Sequence, residues 1–142
     1  MSDYLTADRW QDVSRAYWPW THFTAQEMAC KHTGKIHLHR PFMDRLQMLR
    51  IAYGEAMPVN SGYRDPAHPI EARKAAPGSH AMGRAADIGV HGQAALTLIR
   101  LAMQAGFTGI GVQQKGAVTS RFIHLDDLPA EPGRPRPHVW SY

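Results

Sequence analysis

Cysteine is almost absent from the sequence: Cys30 is the one cysteine among 142 residues, so the chain cannot form an internal disulfide. The sequence also lacks any apolar run close to the roughly 18 residues that a membrane-spanning helix needs. Its first residues, MSDYLTADRW, carry acidic side chains where a secretory signal peptide has basic residues and then an apolar stretch. We therefore expect a protein that is synthesised in the cytoplasm without a signal peptide, does not insert into membranes and folds without disulfides.

An excess of one charge is also lacking. The sequence has 16 Lys and Arg residues against 12 Asp and Glu residues, which gives a net charge of +4 with histidine neutral. The basic residues are spread along the chain apart from Arg134 and Arg136, which we expect to remain solvated. No nucleic-acid partner is therefore predicted. The composition, 44% apolar and 20% charged, is that of a globular protein and excludes a disordered or collagen-like chain.

Local signals predict helices and strands in mixed order. Thr24 and Glu27 have the spacing of a capping box, which predicts a short helix over 24–30. Pro41, followed by apolar residues at helical spacing up to Gly54, predicts the longest helix. The other predicted elements are an extended run at 57–60, a long loop over 61–79, strands over 85–90, 108–112 and 121–125, and a helix over 93–105.

These elements predict one monomeric α+β domain over residues 1–142, with a small, mainly antiparallel sheet and helices packed on one face. Residues 1–23 form an N-terminal segment rich in Trp and Tyr. Residues 129–142 form a Pro-rich C-terminal wrap.

Two of the predicted strands carry side chains that bind metals. Asp87 has small neighbours on its face of one strand, and His124 and Asp126 share a face of another. We expect both faces to be exposed, because the alternate residues are apolar. Asp87 and His124, together with His80 on the loop before Asp87, offer the ligand set His/Asp/His. Three protein ligands with an open fourth position are typical of a catalytic zinc site, and one cysteine cannot build a closed thiolate site.

The motifs occur in a recognisable order. They are SGYR (61–64), GSHAMGRAADI (78–88), GFTGIGV (106–112) and FIHLD (122–126). In this order the sequence resembles the zinc D-Ala-D-Ala peptidases and phage endolysin peptidases, whose superfamily includes lysostaphin and the hedgehog fold. The resemblance covers about residues 24–140.

This resemblance implies the site. It implies one zinc ion held by His80, Asp87 and His124. Arg64 would bind a substrate carboxylate or stabilise an oxyanion, because a guanidinium offers paired N–H donors and a permanent charge. Ser79 would contact substrate or orient the neighbouring ligand, and Trp140 would line the substrate groove or anchor the tail.

The general base is the point where the sequence departs from the family. The better-studied members have an acidic residue three positions before the last ligand, and here that position is Arg121. Asp126 is the best replacement, since two strand residues span about 6.6 Å and place its carboxylate on the face of His124. Asp127 and His138 are the alternatives.

The function implied by the resemblance is zinc-dependent cleavage of peptidoglycan stem or cross-link peptides by a phage or prophage endolysin. Such an enzyme acts on the cell wall after release through a holin-type pore. The alternatives are a D-Ala-D-Ala carboxypeptidase, or a non-catalytic, zinc-containing module that binds the cell wall.

Overall fold

Strand pairing confirms the α+β class that the sequence predicts. The computed structural model describes residues 2–142. The strands are β1 (Tyr4–Ala7), β2 (Ile36–His39), β3 (Val59–Ser61), β4 (Ala85–Ile88), β5 (Gly109–Gln113), β6 (Phe122–Asp126) and β7 (His138–Ser141). The α-helices are α1 (Ala25–Met28), α2 (Arg40–Tyr53) and α3 (Gly92–Gln104), and 3-10 turns cover Trp10–Asp12, Arg15–Tyr17, Glu71–Arg73 and Val118–Ser120.

The helices begin and end at the local signals. Oγ1 of Thr24 accepts from N of Glu27 at 3.1 Å and Oε1 of Glu27 accepts from N of Thr24 at 2.9 Å, so the capping box is complete at the start of α1. Pro41 lies in the first turn of α2, and Gly54 ends that helix with a φ of 77°, which glycine adopts without strain. No helix within residues 2–142 is long and apolar enough to cross a membrane.

Five strands form the main sheet in the order β3-β4-β6-β5-β7, and β1 and β2 form a separate antiparallel pair. Neighbouring strands of the main sheet are antiparallel except β5 and β7, which are parallel. The predicted antiparallel character is therefore confirmed. The register places Ser61, Asp87, His124, Gly111 and Trp140 opposite one another in one row across the five strands.

The apolar core lies on the opposite face of the sheet from this row. Ile88 on β4 and Ile123 and Leu125 on β6 alternate with the residues of the row, and all three are fully buried. They belong to one cluster with Leu46 of α2 and Leu98 of α3. The helices therefore cover one face, as predicted, and the row of polar residues occupies the other.

Two terminal strands were not predicted. The N-terminal segment contributes β1, which pairs with β2 from Tyr4↔His39 to Ala7↔Ile36. The C-terminal wrap contributes β7, which joins the edge of the sheet beside β5. Gly111 permits this close approach, because a Cβ at that position would lie 2.8 Å from Nε1 of Trp140.

Candidate metal centre

Three side chains meet at the middle of the sheet. His80, Asp87 and His124 each offer a ligand atom, and these atoms lie within 4.8 Å of one another. Oδ1 of Asp87 is 3.2 Å from Nε2 of His80 and 3.1 Å from Nδ1 of His124. All three residues are buried, so the expectation of an exposed face is wrong at this point. The covering groups are Arg64, which contacts Asp87, and Trp140, which packs against His124.

His80 reaches the cluster from the turn before β4. Gly83 permits that turn: its φ is 69°, and a Cβ there would collide with the carbonyl oxygen of His37. Nδ1 of His80 is 2.8 Å from the carbonyl oxygen of Gly62. Because a carbonyl oxygen only accepts, Nδ1 carries the proton, and Nε2, which faces Asp87, keeps a free lone pair.

His124 is held from behind by a carboxylate. Its Nε2 is 2.8 Å from Oδ2 of Asp126, while its Nδ1 faces Asp87. An ionised carboxylate only accepts, so Nε2 carries a proton, and in the neutral ring Nδ1 is then the atom available to a metal. A carbonyl or carboxylate behind each histidine is the arrangement that orients histidine ligands in metal sites.

Asp126 is fully buried and is paired with Arg136 of the C-terminal wrap. Arg136 donates from Nε to Oδ1 at 3.0 Å and from Nη2 to Oδ2 at 2.8 Å. Burial alone would raise the pKa of Asp126, but the hydrogen bonds from His124 and Arg136 outweigh it and hold the pKa at about 2. The expectation that Arg136 is solvated is therefore wrong. Arg134 also has a protein partner, donating to the carbonyl oxygen of Pro129 at 2.9 Å.

The three candidate bases have different surroundings. Both oxygens of Asp126 are occupied by the contacts just described. Oδ1 of Asp127 accepts from Nε of Arg84 at 2.8 Å. His138 is exposed and stacks on Trp140, with ring centroids 5.8 Å apart. Of the three, His138 is therefore the residue whose side chain is open to solvent.

Arg64 places a permanent positive charge beside the cluster. Its Nη2 is 3.4 Å from Oδ2 of Asp87, and its Nε donates to Oγ of Ser61 at 3.1 Å. The side chain is 16% exposed, so Arg64 is not fully enclosed by the protein. Ser79 has a local structural contact: its carbonyl oxygen accepts from N of Arg84 at 3.1 Å and closes the turn before β4.

Aromatic rings line one side of the cluster. We call Phe122, His138, Trp140 and Tyr142 the aromatic wall. The rings of Trp140 and His124 are 5.1 Å apart, and those of Phe122 and Tyr142 are 5.2 Å apart. His138 and Trp140 alternate along β7 and therefore share the face that carries His124, and Tyr142 follows the strand at the same spacing. The wall is not evident from the sequence, because no strand is predicted in the C-terminal wrap.

The charge states of His80 and Asp87 suit metal binding, whereas that of His124 opposes it. Burial lowers the pKa of His80, which favours its neutral ring. Burial would raise the pKa of Asp87, but its hydrogen bonds with His124 and His80 outweigh this and hold the pKa below its ordinary value. Burial also acts to lower the pKa of His124, yet hydrogen bonds to Asp126 and Asp87 raise it overall. In the metal-free protein a proton on His124 thus competes with a metal for Nδ1.

The comparison with protein families decides what kind of protein carries this cluster. The Peptidase M15 family model matches residues 21–126, most of the chain. The chain belongs to the Peptidase M15 family. This confirms the family expected from the resemblance, and membership supports zinc-dependent metallopeptidase activity. No curated protein sequence matches the chain.

The cluster of this M15 protein fits a zinc ion. Two imidazole nitrogens and a carboxylate oxygen are donors that zinc accepts, and three protein ligands leave a position for water or substrate. Both lone pairs assigned above, on Nε2 of His80 and Nδ1 of His124, face the carboxylate of Asp87. The matched region includes all three residues, whereas β7 lies beyond its last residue, 126.

Proposed function

We propose that this M15 protein is a zinc peptidase that cleaves stem or cross-link peptides of bacterial peptidoglycan. The observation that carries the proposal is the convergence of His80, Asp87 and His124 within 4.8 Å, in a chain of this family. The resemblance of the motifs to those of D-Ala-D-Ala and endolysin peptidases supports a wall peptide as the substrate.

We further assign the protein to the endolysins of phages or prophages. Synthesis in the cytoplasm and release through a membrane pore at lysis would bring it to the wall. The endolysin resemblance supports this assignment. A net charge of +4 also favours association with a polyanionic wall.

His80, Asp87 and His124 would hold one zinc ion. The chemistry that zinc would supply there is a pKa of about 7 for water and polarisation of a peptide carbonyl by a Lewis acid. Once His124 gives up its competing proton, the residues of the chain would supply two neutral imidazoles and one carboxylate at fixed positions. Their orientation comes from the carbonyl of Gly62 and the carboxylate of Asp126, each 2.8 Å from the far ring nitrogen.

In this proposal Asp126 is a positioning residue instead of the general base. Its carboxylate is buried and both oxygens already accept hydrogen bonds from cationic or ring N–H groups, so it holds the Nε2 proton of His124. The proton acceptor is then assigned to His138, which is exposed on the same face of β7 as Trp140.

Arg64 supplies the positive charge that a substrate carboxylate or a developing oxyanion needs. Its guanidinium adjoins the carboxylate of Asp87, and the side chain is partly exposed. This position also favours a second candidate function, a D-Ala-D-Ala carboxypeptidase, because such an enzyme must bind a free terminal carboxylate close to the scissile bond.

Mass spectrometry of products from purified peptidoglycan separates these functions. New internal amines identify an endopeptidase, and free D-Ala alone identifies a carboxypeptidase. Zinc binding without any product on walls of several cross-link types would contradict both and favour a non-catalytic wall-binding module.

A further inference from the structure

A buried glutamate lies in the loop between β3 and β4. Glu71 begins the 3-10 turn Glu71–Arg73, and its side chain is 1% exposed. From the sequence this region is predicted only as a long loop over 61–79. A carboxylate buried to this extent needs partners, because burial without them favours its neutral form.

Three groups approach the carboxylate of Glu71. Oε2 is 2.6 Å from Nζ of Lys74 and 3.9 Å from Nη1 of Arg64, and Oε1 accepts from N of Gly78 at 3.0 Å. Burial would raise the pKa of Glu71, but the contacts with Lys74, Gly78 and Arg64 outweigh it and keep the pKa below its ordinary value. Glu71 is therefore ionised and faces two cations.

The ion pair with Glu71, at 3.9 Å, is the third protein contact of the Arg64 guanidinium, beside two hydrogen bonds. Nε is held by Ser61, Nη2 faces Asp87, and Nη1 faces Glu71. Asp87 belongs to the metal cluster, so its charge is shared with a bound metal. Glu71 is the carboxylate partner of Arg64 that lies outside the cluster.

We propose that Glu71 is a positioning residue for Arg64, fixing the plane of its guanidinium so that the remaining N–H groups face the substrate. This inference rests on the proposed function, in which Arg64 binds a carboxylate or an oxyanion. A planar, bidentate donor must be oriented to make two hydrogen bonds at once. A purely structural alternative is that Glu71 only ties the loop together through Lys74 and Gly78.

Glu71→Gln separates the two roles, because glutamine keeps the shape and an oxygen for Gly78 but removes the charge. We expect kcat/KM on a peptide with a free carboxylate to fall about fivefold to tenfold, with most of the change in KM. Lys74→Gln is the matched control: it removes the other cation beside Glu71 and should leave kcat/KM near the wild-type value.

A double-mutant test shows whether Glu71 acts through Arg64. In an Arg64→Lys background, Glu71→Gln should cause little additional loss of kcat/KM, because lysine has no planar pair of N–H donors for Glu71 to orient. An equal loss in both backgrounds, or a Lys74→Gln variant as impaired as Glu71→Gln, would overturn the proposal.

A spectroscopic readout keeps this inference separate from the proposed function. The Nε–H signal of Arg64 in a ¹H–¹⁵N spectrum, assigned by its loss in Arg64→Lys, should shift or broaden in Glu71→Gln and stay in place in Lys74→Gln. An unchanged Arg64 signal in Glu71→Gln would refute the coupling. If the wild-type protein releases no product from wall peptides, the proposed function fails while the spectrum still decides whether Glu71 holds Arg64.

Discussion

Oδ2 of Asp126 lies 2.8 Å from Nε2 of His124, on the side of the ring opposite Asp87. Asp126 and His124, two positions apart on β6, therefore form a carboxylate–histidine pair, and Nδ1 of the histidine faces Asp87. The pair fixes which nitrogen of His124 is free. Arg136 completes it by holding both oxygens of Asp126 in the buried interior.

Asp126→Asn tests the positioning role. An asparagine amide can present its NH₂ to Nε2, which then favours the wrong tautomer of His124, so we expect zinc affinity to fall about 10-fold to 100-fold. Competition with a chromogenic chelator measures this. Asp127→Asn is the control, because Asp127 contacts Arg84 and not the cluster. Undiminished zinc affinity with lost turnover would restore Asp126 as the general base.

Removal of a ligand should abolish metal retention. His80→Ala and Asp87→Ala each leave two protein donors, and we expect less than a tenth of an equivalent of zinc after dialysis, as measured by elemental analysis. Zinc bound at full stoichiometry in His80→Ala would exclude this residue as a ligand.

His138→Ala should retain one equivalent of zinc and, if His138 accepts the proton, lose about 100-fold or more in kcat.

Arg64→Ala should lower kcat/KM on wall peptides about 100-fold, because it removes a charge placed where substrate negative charge is expected. A loss confined to KM indicates a bound carboxylate, and a loss in kcat indicates an oxyanion. Arg121→Ala is the control, since Arg121 donates to the carbonyl oxygen of Gly116. Full activity of Arg64→Ala on internal bonds would argue against exopeptidase action.

Stability of the metal-free protein should depend on Asp126 at low pH. Its pKa is about 2 in the folded protein against 3.8 ordinarily, so folding gains stability from its ionised form above pH 4 and loses it as pH falls towards 2. Urea unfolding of wild type and Asp126→Asn from pH 5 to 2 measures this. The difference between the two stabilities should shrink as pH falls, and a constant difference would contradict the pKa.

The centre of the site could be predicted because its pattern is local. Alternation along β4 and β6 identifies Asp87 and His124 from their own neighbours in sequence, and the order of the motifs adds His80. The pairing of β4 with β6, which brings the two residues together, was not predicted and comes from the structure. Helix bounds were also predictable, since the signals at Thr24, Pro41 and Gly54 act within one or two turns.

What sequence reasoning missed depends on contacts between distant segments. Strand β7 follows a Pro-rich stretch and is specified by its partner β5, where Gly111 leaves room for Trp140. The pairing of Arg136 with Asp126 depends on how that tail folds back. Glu71 reaches Arg64 only through the turns of an irregular loop, which no periodicity describes.

The most direct test of the central claim is the digestion of purified peptidoglycan before and after metal removal. The account predicts that the wild-type protein releases new amino termini, that dialysis against a chelator abolishes the release, and that one equivalent of zinc restores it. Release that continues undiminished in the chelated protein would contradict a zinc peptidase built on His80, Asp87 and His124.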